Sequence, residues 1–517
     1  MERPVVIVGA GMGGLAAALD LAVAGYPVHV YEQAATVGGK MAQARVGGVD
    51  IDVGPTVLTL RHVFDALFDA AGASLDAHVP LERLPCLARH AWDAQTRLDL
   101  WACPRAAADA VGAVFGLQAR GGYVRFMAYA AALYEEVRAP FLYAARPSFW
   151  QTVTAYGPRA LGALWRIDAR RSMMAALREF FPRTPQLQQL FGRYATYCGG
   201  SPYEAPATVN LVAHVEALGV YGVAGGMHAL ARAVAGLAER HGVQFRCGVR
   251  VERLLLDARG AARGVELAGG EVVESPAVVL AGDVGAFERG LLGIAPIRDT
   301  APRGLSAVTW ALQGRVEGWA LARHNVLFGP SSAAEFDAVF SRRTLPAAPT
   351  LYVCAQDRRG PTDPVPGGRE SLFCLINAPP RRQALTQEEL DACHMSLMQR
   401  LQATGLTLVP ATPPAMATPA DFAQRFPGTD GALYGKPPHG WRSFFNRPGS
   451  RSRIPGVFFA GGSVHPGPGM PLAALSGRLA AAALRADFPS TWTFRRVGTP
   501  GGMSTRRATT DAMASAP

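Results

Sequence analysis

The apolar positions of the first fifty residues change period twice. Val5-Val6-Ile7-Val8 is a continuous apolar run of the kind shown by a strand covered on both faces. Leu15 to Ala24 contains no proline and reads as a helix, and Val28 to Tyr31 is a second apolar run, so the pattern predicts a strand–helix–strand unit. From about 60 to 190 the period turns helical, with Val63-Phe64, Leu67-Phe68 and Ala71 on one face and further helices expected around Phe126 to Val137 and Arg170 to Phe181. Between these, Ala139-Pro140-Phe141-Leu142-Tyr143 and Pro147-Ser148-Phe149-Trp150 read as an aromatic loop. A Gly-rich hinge from Gly222 to Met227 leads into an expected helix, His228 to Arg240, and then into short strands: Gln244 to Cys247, Arg250 to Leu256, Gly264 to Leu267, Val272 to Glu274 and Ala277 to Leu280. Residues 300–430 are mixed and Pro-rich, with one expected helix from Gln387 to Ala403. Regular patterning returns with a strand, Gly456 to Ala460, and a small-residue helix, Pro471 to Ala486. Residues 489–517, rich in Thr, Ser, Arg and Gly, are expected to be a disordered tail.

The first unit carries a motif. Gly9-Ala10-Gly11-Met12-Gly13-Gly14 fits G-x-G-x-x-G between a strand and a helix, where glycines permit a tight turn and let helix amides approach a pyrophosphate. Glu32 ends the second apolar run, 18 residues past Gly14, where a carboxylate accepts hydrogen bonds from a ribose diol. Together Gly9, Gly11, Met12, Gly13, Gly14 and Glu32 predict a dinucleotide site, and NAD and FAD satisfy that fingerprint equally. Near the other end, residues 461–471 join a strand to a helix through a loop too rich in glycine and proline to be helical. Free amides at that helix N-terminus, aimed at an isoalloxazine, would stabilise the negative charge that builds on hydride uptake.

Composition narrows the class. Apolar residues make up 49% of the 517 and charged residues only 18%, so the bulk of the chain cannot be disordered. The net charge of +11 is spread along the chain without a basic stripe interleaved with aromatics, which argues against nucleic acid. Lys40 and Lys436 are the only lysines. The seven cysteines are widely spaced with no C-x-x-C, which excludes a disulfide framework and a zinc ribbon and points to a reducing compartment. No signal peptide and no membrane-spanning helix are expected, since no apolar stretch reaches about 18 residues. No G-x-S-x-G elbow and no H-E-x-x-H pair occurs, so neither a serine hydrolase nor a metal site is expected.

Family resemblance decides between the dinucleotides. Val37-Gly38-Gly39-Lys40-Met41, followed by Asp50-Ile51-Asp52-Val53-Gly54-Pro55-Thr56, resembles the extended E-x-x-x-x-x-G-G-(R/K) signature of the flavoprotein superfamily of amine oxidases, GDP-dissociation inhibitors and carotenoid desaturases. Gly461-Gly462-Ser463-Val464-His465-Pro466-Gly467-Pro468-Gly469-Met470-Pro471 resembles the G-x-x-x-H-P-G-x-G-x-P signature of bacterial-type carotenoid (phytoene) desaturases, and Asp52 to Thr56 is similar to their D-x-G-P-T box. The likeness covers about residues 4–487. Within that family Thr59 to Phe68 and Ala139 to Leu142 are most similar to the 1-hydroxycarotenoid 3,4-desaturases, also called methoxyneurosporene dehydrogenases. Gly461-Gly462-Ser463 stands where many superfamily members carry an acidic residue near the ribityl hydroxyls, a departure that carotenoid desaturases share.

The resemblance implies FAD and an α/β fold, a Rossmann-like FAD-binding domain with an inserted mixed α+β substrate domain. It places a discontinuous FAD-binding domain at 1–70, 215–290 and 430–488 and the substrate, membrane-facing domain at 71–214 and 291–429. The Gly38-Gly39-Lys40 turn would run along the pyrophosphate and ribityl chain, with Gly54, Pro55, Thr56, Gly461, Gly462, Gly469, Met470 and Pro471 beside the flavin and the Val251 amide near the adenine. The expected reaction is desaturation of an acyclic C40 carotenoid, 3,4-desaturation of a 1-hydroxy or 1-methoxy compound such as 1-hydroxyneurosporene, with oxygen or membrane quinone as terminal electron acceptor. Phytoene desaturation, a lipid-binding escort like GDP-dissociation inhibitors, and an amine oxidase are the alternatives.

Desaturation removes a hydride and a proton from adjacent carbons, so the protein must hold the reacting carbon about 3–3.5 Å from the flavin rather than supply a nucleophile. His465 is expected either to accept the proton or to hold its loop by a hydrogen bond. An insoluble substrate must be drawn from a bilayer, and Arg138, Phe141, Leu142, Tyr143, Arg146, Phe149 and Trp150 form the amphipathic set expected of a monotopic access surface on the cytoplasmic face of the inner or photosynthetic membrane. The other reading of that set is a helical-domain core rimmed by arginines. Tyr194, Tyr197 and Tyr203 are expected to line a tunnel or simply to pack, and His439 lies in a segment that could line it too.

Overall fold

The computed structural model describes residues 3–144, 167–297, 302–360, 368–441, 443 and 447–489. Val5–Val8 (β1) is the central strand of a five-stranded parallel sheet, and its continuous apolar run is explained by cover on both faces. Helix α1 (Met12–Val23) returns the chain to Val28–Glu32 (β2), which pairs with β1 in the register Val6↔His29. Three strands far away in sequence complete the sheet: Gln244–Cys247 (β3), Val278–Leu280 (β4) and Val457–Phe459 (β5), in the order β5-β4-β1-β2-β3. Helix α2 (Met227–Arg240) precedes β3, and helix α3 (Met470–Asp487) follows β5.

Glycine permits the closest helix contact. A Cβ on Gly477 of α3 would sit 2.1 Å from the Gly13 carbonyl oxygen of α1, so the two backbones touch where no side chain fits. Because all five strands run the same way, their C-terminal ends open onto one edge, where an α/β sheet binds its ligand.

The other large sheet has eight strands and is mostly antiparallel. Its path runs Leu406–Pro410, Ser306–Gly318, Glu370–Ala378, Leu351–Ala355, His324–Leu327, Cys86–Ala91 and Arg97–Trp101, with Ala415–Ala417 also pairing with Ser306–Gly318. Cys86–Ala91 and Arg97–Trp101 correct the helical expectation for 60–190. Cys86–Ala91 forms a local hairpin with Arg97–Trp101, Ala91 opposite Arg97, and pairs on its other edge with the distant His324–Leu327, Asn325 opposite Arg89, a partner that no local window contains. The same holds for residues 300–430, where most of this sheet arises. Leu81–Arg83 is a further short strand in the segment read as helical.

Side chains alternate across this sheet. Leu351, Val353 and Ala355 pack with Cys393, Leu397 and Leu401 of the helix Gln387–Ala403, whose start is set by a capping box between Thr386 and Glu389. Tyr352 and Cys354 face the other way, into a core with the helices Leu117–Val137, Met173–Phe180 and Pro185–Gly192. Phe126 and Phe191 anchor that core with ring centroids 4.5 Å apart.

Candidate active site

The ends of β1 and β2 build the first wall of a trough. Gly9 has φ +104° and donates its N–H to the Tyr31 carbonyl, and a Cβ on Gly14 would lie 2.1 Å from the Gly9 oxygen, so both must be glycine for α1 to begin here. Met12 and Gly13 are buried in the first turn of α1. Glu32 is buried at the end of β2 and accepts the Ala10 N–H at 2.7 Å and the Ala34 N–H at 2.8 Å, which fixes the carboxylate beside the glycine turn. Gly248 and Val249 donate to the carbonyls of Ala34 and Glu32, which brings the start of the strand Val251–Leu256 to the same edge.

The Gly38-Gly39-Lys40 turn folds back over α1. Gly38 donates to the Ala10 carbonyl at 2.8 Å, and a Cβ on Gly39 would come 3.1 Å from Cα of Gly11. His228 of α2, which the motif reading missed, locks the turn through Nε2 to the Val37 carbonyl at 2.9 Å. Lys40 donates to the Leu433 carbonyl and lies 5.3 Å from the Phe426 ring centroid; burial pulls its ammonium below its ordinary pKa, with Asp283 opposing. Lys436, the other lysine, sits 3.1 Å from Glu288, so both lysines hold the 433–436 segment. Asp52 accepts the Met227 N–H at the start of α2, and Gly54 packs so close to the Lys40 carbonyl that any side chain there would clash. Thr56 extends from that box and its hydroxyl lies 2.6 Å from that of Tyr352.

The loop after β5 supplies the opposite wall. Gly461 has φ +117° and donates to the Ser476 hydroxyl at 2.7 Å, and Ser463 accepts the Val284 N–H at 2.9 Å, tying the loop to the end of β4. Arg447 donates to the carbonyls of Lys436 and Gly462, at 2.9 and 3.3 Å, and was not legible from any motif. Gly469 caps α3 with φ +108°, and Met470 and Pro471 open the helix.

These residues fit a flavin dinucleotide. A Cβ added to Gly11, Gly282 or Gly469 would meet nothing within 4 Å, so these glycines border open space rather than neighbouring chain. Gly11 and Gly469 cap α1 and α3, neither cap makes a side-chain hydrogen bond, and both helix N-termini present amides and positive dipole ends. Among the described residues no cluster of His, Cys, Asp and Glu could hold a metal ion.

His465 is buried at 1% exposure and its peptide bond to Pro466 is cis. Its backbone N–H donates to the Pro448 carbonyl at 2.9 Å, and its ring stands edge-on to Phe141 at 5.4 Å. Burial lowers its pKa to about 4 against the pull of the Phe141 and Ala144 backbone, so the ring is neutral at ordinary pH. Arg138–Leu142 forms one wide helical turn that brings Phe141 inward to His465 and Leu142 against the core of the parallel sheet, so neither is a plain surface residue. Tyr143 stays exposed and its hydroxyl lies 2.8 Å from His62 Nε2. Arg146, Phe149 and Trp150 of the expected access surface lie outside the described residues, as does the tail from 490 onward.

A small cavity of about 20 Å³ lies between the eight-stranded sheet and its helical layer, lined by Tyr194, Tyr197, Arg193, Glu216, His324 and Tyr352 among others. Tyr194 donates to Glu216 at 2.5 Å and Tyr197 also bonds it, while burial raises the Glu216 carboxyl pKa against those bonds and Arg193. Tyr203 instead packs on Phe336 at 6.1 Å. His439 accepts the Ser201 N–H at 2.9 Å and faces Glu204, which gives it a loop-holding part.

A family model for flavin containing amine oxidoreductases matches residues 12–485. The chain is similar to the hydroxyneurosporene desaturase of Rubrivivax gelatinosus, 48% identical over 99% of this chain and 98% of that one. It is 41% identical to the hydroxyneurosporene desaturase of Cereibacter sphaeroides, over 94% of this chain and 98% of the relative. Among solved structures it resembles putrescine oxidase bound to putrescine, with a TM-score of 0.61 at 16% identity, over 94% of this chain and 99% of that one, a likeness of fold.

Proposed function

The chain belongs to the flavin-containing amine oxidoreductase family, on its carotenoid desaturase branch, and from that premise we propose that it desaturates the 3,4 bond of a 1-hydroxylated acyclic carotenoid such as 1-hydroxyneurosporene. The full-length 48% identity to a hydroxyneurosporene desaturase carries this reading. FAD is the cofactor, and when bound it accepts the two electrons and one hydrogen as hydride, which oxygen or a membrane quinone then takes up.

In this proposal Gly9, Gly11, Met12, Gly13, Gly14 and the α1 amides hold the pyrophosphate, Glu32 holds the adenosine ribose and Val251 lies by the adenine. Gly38, Gly39, Lys40, Gly54, Pro55 and Thr56 line the flavin on one side and Gly461, Gly462, Gly469, Met470 and Pro471 on the other. The division into an FAD-binding part at 1–70, 215–290 and 430–488 and a substrate part at 71–214 and 291–429 belongs to the same proposal. It is supported by the origin of the parallel strands, all five of which fall in the first set.

His465 is the proposed proton acceptor. Hydride departure leaves positive charge spread over the polyene, which makes the adjacent C–H strongly acidic, so a neutral imidazole with a low pKa suffices as base. Its burial also keeps water from that charge. Phe141, held against His465, forms the inner end of a route that starts at the exposed Tyr143 and faces the cytoplasmic leaflet of the membrane. Among the described residues no helix is long and apolar enough to cross a bilayer.

The test is anaerobic incubation of the flavin-loaded protein, in liposomes, with 1-hydroxyneurosporene or with phytoene. Flavin bleaching and a lengthened chromophore with the hydroxylated compound alone are expected. Conversion of phytoene alone would move the protein to an earlier desaturation, and no flavin in the protein would favour a lipid-binding escort.

A further inference from the structure

The cavity reached from Thr56 through Tyr352 sets buried polar side chains among apolar ones, where a plain hydrocarbon tunnel would have only the latter. His324 and Tyr352 lie on neighbouring strands, 2% and 7% exposed, with His324 Nδ1 2.7 Å from the Tyr352 hydroxyl and that hydroxyl in turn 2.6 Å from Thr56. The Nε2 of His324 has no hydrogen-bond partner, and neither does Nε of Arg193, which lines the same cavity with its guanidinium carbon 5.6 Å from the Tyr352 ring centroid. His90, 3% exposed on the adjoining strand, adds a third unpartnered nitrogen, Nδ1, to that lining. Buried polar atoms left unpaired cost about 1–3 kcal/mol each, so a core used only for packing would not collect three around one void. The free volume, about 20 Å³, is room for one oxygen-sized group.

We propose that Arg193, His324 and Tyr352 form the subsite that reads the C1 hydroxyl of the carotenoid end group. The inference rests on the desaturase reading above and adds how that enzyme selects its substrate. A tertiary hydroxyl donates one hydrogen bond and accepts two, which matches an imidazole nitrogen of either tautomer together with a guanidinium N–H. The hydroxyl-bearing carbon is two bonds from the carbon that is oxidised, so its reader has to stand next to the cofactor box. Tyr352 does so through Thr56, the last residue of the Asp52 to Thr56 box. A chain lacking the hydroxyl would leave these buried groups unpaired, which is the arrangement that discriminates most strongly against a missing polar group.

The experiment compares 1-hydroxyneurosporene with 1,2-dihydroneurosporene, the same saturated end group with hydrogen in place of the hydroxyl, in the wild type and in His324→Leu, Arg193→Leu and the milder Tyr352→Phe. The wild type is expected to prefer the hydroxylated compound, and each variant to cut the ratio of the two kcat/KM values tenfold or more, mainly through a higher KM for the hydroxylated one. Equilibrium binding of both carotenoids to the dithionite-reduced wild type, which cannot turn over, gives a readout independent of activity and of variant folding. A tighter Kd for the hydroxylated compound is expected there. Equal Kd values, or a preference that survives within twofold in all three variants, would overturn the subsite while leaving the desaturase reading intact. Failure of the wild type to oxidise 1-hydroxyneurosporene would overturn both.

Discussion

The hydroxyls of Thr56 and Tyr352 lie 2.6 Å apart although 296 positions separate them in the chain. Thr56 ends the loop that frames the proposed flavin site, and Tyr352 belongs to the middle of the eight-stranded sheet. This contact joins the Asp52 to Thr56 box to the eight-stranded sheet. Tyr352→Phe removes a hydroxyl shared by Thr56 and His324 and is expected to lower unfolding stability by about 1–3 kcal/mol. Urea midpoints would show it; a midpoint equal to the wild type would mean that the pair is not formed in solution.

Two glycine substitutions should behave oppositely. Gly477→Ala puts a methyl 2.1 Å from the Gly13 oxygen and must push α3 away from α1, so loss of several kcal/mol and of flavin together is expected. In Gly11→Ala the methyl enters open space at φ −71°, so the apo-protein keeps its thermal midpoint while flavin affinity falls at least tenfold. Gly11→Ala protein purified with a full flavin complement would contradict the trough.

The low pKa of His465 sets where a pH profile should bend. With its pKa at about 4 the neutral form is present above that value, so the acid limb of kcat/KM is expected near pH 4 and is absent from His465→Gln. A limb near 6.5 that persists in the variant would assign the proton to another group.

Stability should depend on pH through histidines buried in the neutral form. His90 and His324 are both pushed down to about 3 by burial, aided by Arg193 and Arg323 respectively. The unfolded chain takes up these protons near 6.5 and the folded chain does not, so stability is fully present above about 6.5 and falls as pH drops toward 3. Each group contributes up to about 1.4 kcal/mol per pH unit in that window. Denaturant midpoints at pH 7 and pH 5 should differ, and His90→Gln should shrink the difference; equal midpoints at the two pH values would refute the assignment.

What the sequence determined by itself is local. Met12–Val23, Val28–Glu32 and their glycine turn, the capping-box helix Gln387–Ala403 and the Gly/Pro loop before Met470 are set by contacts a few residues apart, so periodicity and spacing reveal them. The family of the protein was legible for the same reason, because its signatures are short turns that a cofactor and a helix end demand. Only the tertiary structure decided that the hairpin Cys86–Trp101 joins the eight-stranded sheet, since its partner there begins at His324. It also decided that Lys40 and Lys436 converge on one loop segment, that Phe141 turns in toward His465, and that Arg193, His324 and Tyr352 surround one cavity. Arg193, His324, Tyr352 and Lys436 sit in no motif, and the motifs that hold Lys40 and His465 do not say what those side chains touch. Each is a single polar or aromatic position whose environment is supplied by strands and helices folded over it from more than a hundred residues away, and a side chain's chemistry follows that environment rather than its neighbours in the chain.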